Sequence, residues 1–114
     1  MTENCNSFSF QRLDVYVAAR ELAALVHLAR LSDAELRDQA SRASKSVVLN
    51  LAEGLGSESP GVKRRHFAIA AGSVQEVAAA VDLAVAIGAL APPVAERAMA
   101  LALRVRRMLR GLMR

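Results

Sequence analysis

Apolar residues recur every three to four positions over four long stretches of the chain, a spacing that predicts one buried face on each of four α-helices. The third stretch alternates steps of three and four, and its predicted core positions are Phe67, Ala70, Val74, Val77, Val81, Ala84 and Gly88. The fourth stretch follows a heptad, with Val94, Ala98, Leu101, Val105, Met108 and Leu112 at the core positions. Heptad spacing is typical of helices that cross at a shallow angle in a bundle.

Turn-forming residues separate these stretches and set the predicted helix bounds. Ser32 or Asp33 suits an N-cap, residues 54–61 are rich in Gly and Ser, and Pro92 follows the third stretch. The predicted helices span about residues 11–31, 34–55, 61–87 and 93–112, after a flexible N-terminal tail of residues 1–10. In the first helix the predicted apolar face is Leu13, Tyr16, Val17, Leu22, Leu25, Val26 and Leu28. Short connections favour an all-α, antiparallel up-down-up-down four-helix bundle over residues 11–114.

Composition agrees with one helical domain. Apolar residues make up 54% of the 114 residues but aromatic residues only 4%, a bias toward helix-forming Ala and Leu rather than toward a β-sandwich. No uninterrupted apolar run approaches the roughly 20 residues that cross a bilayer, and we expect no membrane association. No signal-peptide pattern is visible and Cys5 has no partner for a disulfide, so we expect a cytoplasmic protein. His27 and His66 stand without nearby ligand residues, so we expect no metal and no cofactor.

The positive charge is concentrated at the C-terminal end. The net charge is +4, yet residues 94–114 contain six arginines and a single acid, Glu96. A second basic run opens the third predicted helix, at the same end of an up-down bundle. The candidate nucleic-acid-binding residues are Lys63, Arg64, Arg65, Arg104, Arg106, Arg107, Arg110 and Arg114. The alternative is a solvated helix end, since cations there also interact favourably with the helix dipole.

A line of polar residues follows one face of the second predicted helix, next to its apolar face. The line and its possible partners on the third helix are Gln39, Arg42, Ser46, Asn50, Glu53, Ser73 and Glu76. Three interpretations remain open. These residues form a satisfied polar network, with Arg42 paired to Glu53 or Glu76, that fixes helix register or a subunit contact; they bind a nucleotide or nucleic acid; or they form a catalytic site. No nucleophile–base pair supports the last.

The same residues resemble a known family. The pattern of a Gln, an Arg-Ala pair, a Ser and an Asn-hydrophobic-Ala-Glu-Gly run is matched by Gln39, Arg42, Ala43, Ser46 and Asn50–Gly54. A second block, an aromatic residue followed by Ala-x-Gly-Ser-x-x-Glu, is matched by Phe67, Ala70, Gly72, Ser73 and Glu76. An opening block is matched by Phe10, Leu13, Val15, Tyr16 and Ala19. Over about residues 8–90 the chain resembles the four-helix-bundle proteins encoded within 23S ribosomal RNA intervening sequences.

The resemblance implies a bundle that assembles as a homopentamer and has no established enzymatic activity. The accessory protein of diversity-generating retroelements is similar in its pentameric form and in its partnership with a reverse transcriptase and nucleic acid. The polar line would then serve as a subunit contact or as a surface that faces RNA. The pattern is not matched between the first two helices, at residues 29–34, or at Ser57.

Two functions therefore compete, and both are non-enzymatic. The first is an oligomer associated with RNA or a nucleoprotein through its basic end, by electrostatic contact with phosphates. The scarcity of aromatic residues for base stacking argues against sequence-specific recognition of single strands by such a protein. The second is a structural scaffold that binds another protein, which the abundance of small apolar residues on several helix faces favours.

Overall fold

The computed structural model describes residues 8–114, and within them every regular element is helical. A 3₁₀ helix, Ser9–Arg12, precedes α1 (Asp14–Leu28), α2 (Ala34–Gly56), α3 (Pro60–Ala86) and α4 (Pro92–Met113). Each helix packs against its neighbour along the chain, and α1 also packs against α4. The predicted all-α, antiparallel four-helix bundle is confirmed, with overall dimensions of 45 × 30 × 20 Å.

The two connections at one end of the bundle are joined to each other. The Ser32 backbone N–H donates to the Ala89 carbonyl at 2.9 Å, so the α1–α2 loop is fixed to the α3–α4 loop. Asp33, rather than Ser32, is the N-cap of α2, because its carboxylate accepts from the Leu36 N–H at 2.9 Å. The α1–α2 and α3–α4 loops therefore lie side by side at one end of the up-down-up-down bundle.

The α3–α4 turn depends on one glycine. Gly88 has φ of 76°, the left-handed conformation that glycine adopts without a Cβ penalty. Its N–H donates to Val85 O at 3.0 Å, and the Ala89 N–H donates to Ala84 O at 2.7 Å. This pair of bonds is the Schellman motif, which satisfies the last carbonyls of a helix, and it places Gly88 at the C′ position.

The first helix differs from its prediction at both ends. Leu13 and Ala29 have extended backbones, with ψ of 136° and 142°, and they bound α1. The predicted apolar face is also rotated, since Leu13 is 44% and Leu28 77% exposed. The residues that α1 buries are Val15, Ala18, Ala19, Leu22 and Val26. Small alanines on this face allow α1 to lie close to its neighbours, a fit that apolar spacing alone does not reveal.

The fourth helix is correct in extent but wrong in register. Its buried residues are Ala95, Ala98, Ala102, Val105 and Leu109. Of the predicted heptad only Ala98 and Val105 are fully buried, while Leu101 and Met108 lie at the core edge and Leu112 is 40% exposed. Two apolar stripes overlap on this helix, and the core takes the one richer in alanine. In α3, by contrast, every predicted core position except Gly88 is buried.

The predicted flexible tail, residues 1–10, lies mostly outside the described residues, as does Cys5. Its last part, Phe8 to Phe10, is not a free tail. These residues enter the 3₁₀ helix, where the Phe8 N–H donates to the Gln11 side chain and the Phe8 carbonyl accepts from the Gln11 N–H. Phe10 packs edge-on against Tyr16 with ring centroids 4.9 Å apart. The aromatic contact holds this part of the chain against the bundle.

In the described part of the chain, α3 alone is long and apolar enough to cross a membrane. Uninterrupted apolar runs are short, but its most apolar 18-residue window has a mean hydropathy of 1.4. The bundle buries 39% of that window, where α3 packs between α2 and α4. The core helix of a soluble bundle meets the same criteria, so length and composition do not assign α3 to a membrane.

Candidate functional site

A chain of hydrogen bonds crosses the interface between α2 and α3. The Ser46 and Ser73 hydroxyls are 2.8 Å apart, and Asn50 Nδ2 donates to Ser46 O at 3.0 Å and to Ser46 Oγ at 3.1 Å. Asn50 Oδ1 lies 2.9 Å from His66 Nδ1. The four side chains are buried or half-buried, so the polar groups satisfy one another where water has little access.

The direction of these bonds fixes the histidine tautomer. A backbone carbonyl can only accept, so the Asn50 amide must turn its NH₂ toward Ser46 O and its oxygen toward His66. His66 Nδ1 must therefore carry a hydrogen and donate. A neutral His66 then keeps Nε2 as an acceptor, and this ring nitrogen takes no part in the chain of bonds.

The predicted polar line separates into two groups. Ser46, Asn50 and Ser73 meet as expected and are joined by His66, which is not part of the predicted line. Arg42, Glu53 and Glu76 are exposed, as is Gln39, and none of the hydrogen bonds between described side chains involves them. At about 100° per residue, Arg42 and Glu53 lie farther around α2 from the α3 contact than Asn50. The predicted pairing of Arg42 with Glu53 or Glu76 is absent from the described residues.

One buried polar residue of α2 was not anticipated. Ser44 is 1% exposed, and its hydroxyl donates back to the Ser41 carbonyl at 3.0 Å. This local bond satisfies the hydroxyl inside the helix, which allows a serine to occupy an otherwise apolar core position. The period of the core face could have indicated it, because Ser44 lies one turn from both Ala40 and Val47.

The other connected end of the bundle brings two basic segments together. Pro60, Phe67, Leu112 and Met113 line a groove of about 200 Å³ together with Lys63, Arg64 and Arg114. The start of α3 and the end of α4 thus form one surface, which we call the basic end. The Lys63 ammonium donates to the Gly54 carbonyl at 3.0 Å, where it meets the negative end of the α2 dipole.

The remaining candidate basic residues spread around this end rather than converge on the groove. Arg65, Arg104, Arg107 and Arg110 are exposed. Arg104 and Arg106 lie about two turns or more before the end of α4, and Arg106 borders a small cleft between α3 and α4 together with Gln75 and Leu103. The acids closest in sequence to the basic end are Glu53 and Glu58, both exposed. The basic end is therefore an open, predominantly positive surface.

An apolar groove runs along the outside of α3 and α4. Its volume is about 530 Å³, and Val81, Val85, Pro92, Met99 and Leu103 are among the residues that line it, with Asp82 and Glu96 at its edge. Of the residues that line it, Leu103 is 43% exposed. An exposed groove lined by large apolar side chains often marks an interaction surface.

Metal binding finds no support in residues 8–114, where no group of three or more His, Cys, Asp or Glu side chains could hold an ion.

These features define a class of antiparallel four-helix bundles. In this class an Asn-x-Ala-Glu-Gly segment of the second helix packs against a Phe-x-x-Ala-x-Gly-Ser segment of the third helix. The described contacts give both segments a structural role, through the Ser46–Ser73 and Asn50–His66 bonds and the packing of Phe67 on Gly54. The chain belongs to the 23S rRNA-intervening sequence protein family, whose model matches residues 11–111. No curated protein is significantly similar to it in sequence.

Proposed function

We propose that the protein is a non-enzymatic RNA-binding oligomer that contacts phosphates through its basic end. The observation that supports this most directly is the convergence of Lys63, Arg64 and Arg114 on one groove, beside the exposed arginines of the last turns of α4. Guanidinium groups match phosphate oxygens in two-bond geometry. Such binding is electrostatic and weakens steeply with salt.

Membership of the 23S rRNA-intervening sequence protein family supports RNA as the nucleic acid, through the genetic setting that its description names. A binding role rather than a catalytic one is supported by the polar chain at the α2–α3 interface. Ser46, Asn50 and Ser73 are each hydrogen-bonded within it, so their hydrogen-bonding capacity serves to join the two helices. The Arg42, Glu53 and Glu76 side chains are exposed and are therefore available for contacts with other chains.

The test measures RNA affinity as a function of salt. Fluorescence anisotropy with labelled RNA of about 16 nucleotides would be recorded between about 50 and 200 mM salt. Replacing Arg64, Arg110 and Arg114 with Ala should weaken binding about tenfold or more and reduce the slope of log affinity against log salt by about 2, since each single-strand phosphate contact contributes about 0.7.

A control triple variant removes the same charge elsewhere. Arg30, Lys45 and Arg97 are exposed and lie outside the basic end, so their replacement with Ala should leave most of the affinity intact. Absence of RNA binding at the lowest salt, or equal losses in the two triple variants, would overturn the proposal.

We also propose that the chain self-associates through the α3–α4 groove; the family resemblance implies a pentamer. The exposed Leu103 on the wall of this groove supports assembly, because association would remove it from water. The competing role, a scaffold for another protein, would use the same apolar face. Light scattering should give about five times the chain mass of 12.2 kDa, and a monomer mass at micromolar concentration would contradict assembly.

A further inference from the structure

Three of the four aromatic rings of the chain form a stacked row near the basic end. Phe8 stacks on Phe10 with ring centroids 5.8 Å apart and planes inclined by 29°. Phe10 in turn meets Tyr16 edge-on at 4.9 Å, and the Arg20 guanidinium lies 5.8 Å from the Tyr16 ring centroid. A low aromatic content thus still yields an ordered aromatic surface, because all the rings except Phe67 lie together.

The outermost ring of this row is both exposed and held in position. Phe8 is 72% exposed. Its backbone N–H donates to Gln11 Oε1 at 2.6 Å, and its carbonyl accepts from the Gln11 N–H at 3.1 Å. One side of the ring is packed on Phe10. Because the ring is already held in position, little conformational entropy is lost when a second ring stacks on its free face.

The exposed ring borders a groove of suitable size. The groove measures about 590 Å³ and is lined by Phe8, Phe10, Leu55, Gly56, Ser57 and Val62, between the 3₁₀ helix and the turn from α2 to α3. This volume lies in the range of clefts that contact a small organic group, and the groove is open to solvent. Glu53 is the acid on its wall. Beyond Val62 the chain continues directly into Lys63, Arg64 and Arg65 of the basic end.

We propose that Phe8 is a stacking platform for an unpaired base of single-stranded RNA whose phosphates contact the basic end. This inference rests on the proposed function and deepens it by naming the form of RNA. Bases of a duplex are stacked on each other and cannot reach an aromatic side chain, whereas unpaired bases can. Stacking is tolerant of sequence because every base has a π-face. Cations and a free aromatic face side by side are the two components of single-strand binding surfaces.

The absence of tryptophan from the chain allows a direct test. The variant Phe8→Trp keeps an aromatic platform and introduces a single tryptophan at the groove, whose emission can be excited selectively at wavelengths that Tyr16 does not absorb. Leu28→Trp is its matched control, because Leu28 is 77% exposed and ends α1 at the opposite end of the bundle. Unstructured RNA should quench the fluorescence of Phe8→Trp and leave that of Leu28→Trp unchanged. A duplex of the same length should quench neither.

Affinity measurements complete the test. Phe8→Ala should weaken binding of the single strand by about 5- to 100-fold, the usual effect of losing one stacked base, without changing the salt slope. Its affinity for duplex RNA should stay within about twofold, and circular dichroism should give an unchanged fold, since the ring is largely exposed. Phe8→Leu should behave like Phe8→Ala, because leucine keeps apolar volume but has no π-face.

The outcomes separate this inference from the proposed function. If the three-arginine variant loses affinity while Phe8→Ala binds the single strand normally, stacking is wrong and phosphate binding stands. If Phe8→Ala weakens both RNA forms equally, or changes the particle mass in light scattering, the ring is a structural or subunit contact and the inference is overturned. If the unmodified protein binds neither RNA at low salt, both proposals fall.

Discussion

The Phe67 ring occupies the space that a side chain at Gly54 would need. A Cβ built on Gly54 would lie 2.7 Å from Phe67 Cδ1 and 3.1 Å from Cζ, and closer still to Cε1. Phe67 is 3% exposed, so its ring cannot turn aside without disturbing the core. The Asn-x-Ala-Glu-Gly segment therefore ends in glycine for a packing reason, at the point where α3 begins to run back along α2.

We predict that Gly54→Ala destabilises the protein by about 1 to 3 kcal/mol, the usual cost of forcing extra volume into a packed interior. Urea unfolding monitored by circular dichroism would measure the change. Gly72→Ala is the control, because a Cβ there would have no neighbour within 4 Å. In the middle of α3 this substitution should stabilise by roughly 0.5 to 1 kcal/mol. A Gly54→Ala variant as stable as the unmodified protein would contradict the packing argument.

The Asn50–His66 bond should contribute to stability as a pair. Asn50→Ala removes the acceptor of His66 Nδ1 and both bonds to Ser46, and we expect a loss of about 1 to 2 kcal/mol. A double-mutant cycle with His66→Ala should give a coupling energy of at least about 0.5 kcal/mol.

Gln39→Ala serves as the control for this cycle. Gln39 lies on the same side of α2 but is exposed, so its replacement should change the free energy of unfolding by no more than about 0.5 kcal/mol. Additive effects of Asn50→Ala and His66→Ala would show that the two side chains act independently.

Lys63 differs from its neighbours in having a structural bond. Because its ammonium caps the Gly54 carbonyl, Lys63→Met should lower stability by about 0.3 to 1 kcal/mol. Arg64→Met removes the same charge from an exposed position and should leave stability nearly unchanged. Thermal melts of the two variants at low and high salt would distinguish them, and equal melting temperatures would show that the cap contributes nothing.

Gly88 is the glycine whose replacement should lower stability most through its backbone conformation. With φ of 76°, Gly88→Ala would impose a left-handed alanine, at a cost of about 1 kcal/mol or more. Space is not the reason, since a Cβ at Gly88 would meet nothing within 4 Å. Gly88→Asn should therefore lose less stability than Gly88→Ala, because asparagine tolerates this conformation better. The reverse order in urea unfolding would contradict the assignment.

The fold could be predicted because periodicity and helix breakers agree over most of the chain. The bounds of α2, α3 and α4 differ from the predicted ones by no more than one residue. The register of α4 could not be predicted, because a helix with apolar residues on two adjacent stripes does not indicate which stripe faces the core. Alanines at Ala95 and Ala102 are buried where larger residues were expected, a choice that depends on how closely the neighbouring helices approach.

The polar site was predicted only where its residues face another helix. Spacing placed Ser46 and Asn50 on one line with Arg42 and Glu53. On the helical wheel, however, these residues spread over a range of directions that includes both the contact with α3 and the solvent. Which side chains meet depends on the register between α2 and α3. That register is visible only in the contacts Ser46–Ser73 and Asn50–His66. The row formed by Phe8, Phe10 and Tyr16 was missed because residues 1–10 were expected to be a flexible tail.

Assembly through the α3–α4 groove makes Leu103 a sensitive position. Leu103 lines the groove and is 43% exposed, so a subunit seated there would bury it. Leu103→Glu would place a charge in that contact and should shift the particle mass in light scattering toward the monomer, since burying an unpaired charge is costly. Leu49→Glu is the control, because Leu49 is 65% exposed on α2 and lies outside the groove. If Leu49→Glu dissociates the particle and Leu103→Glu does not, subunits meet through α2 and not through the groove.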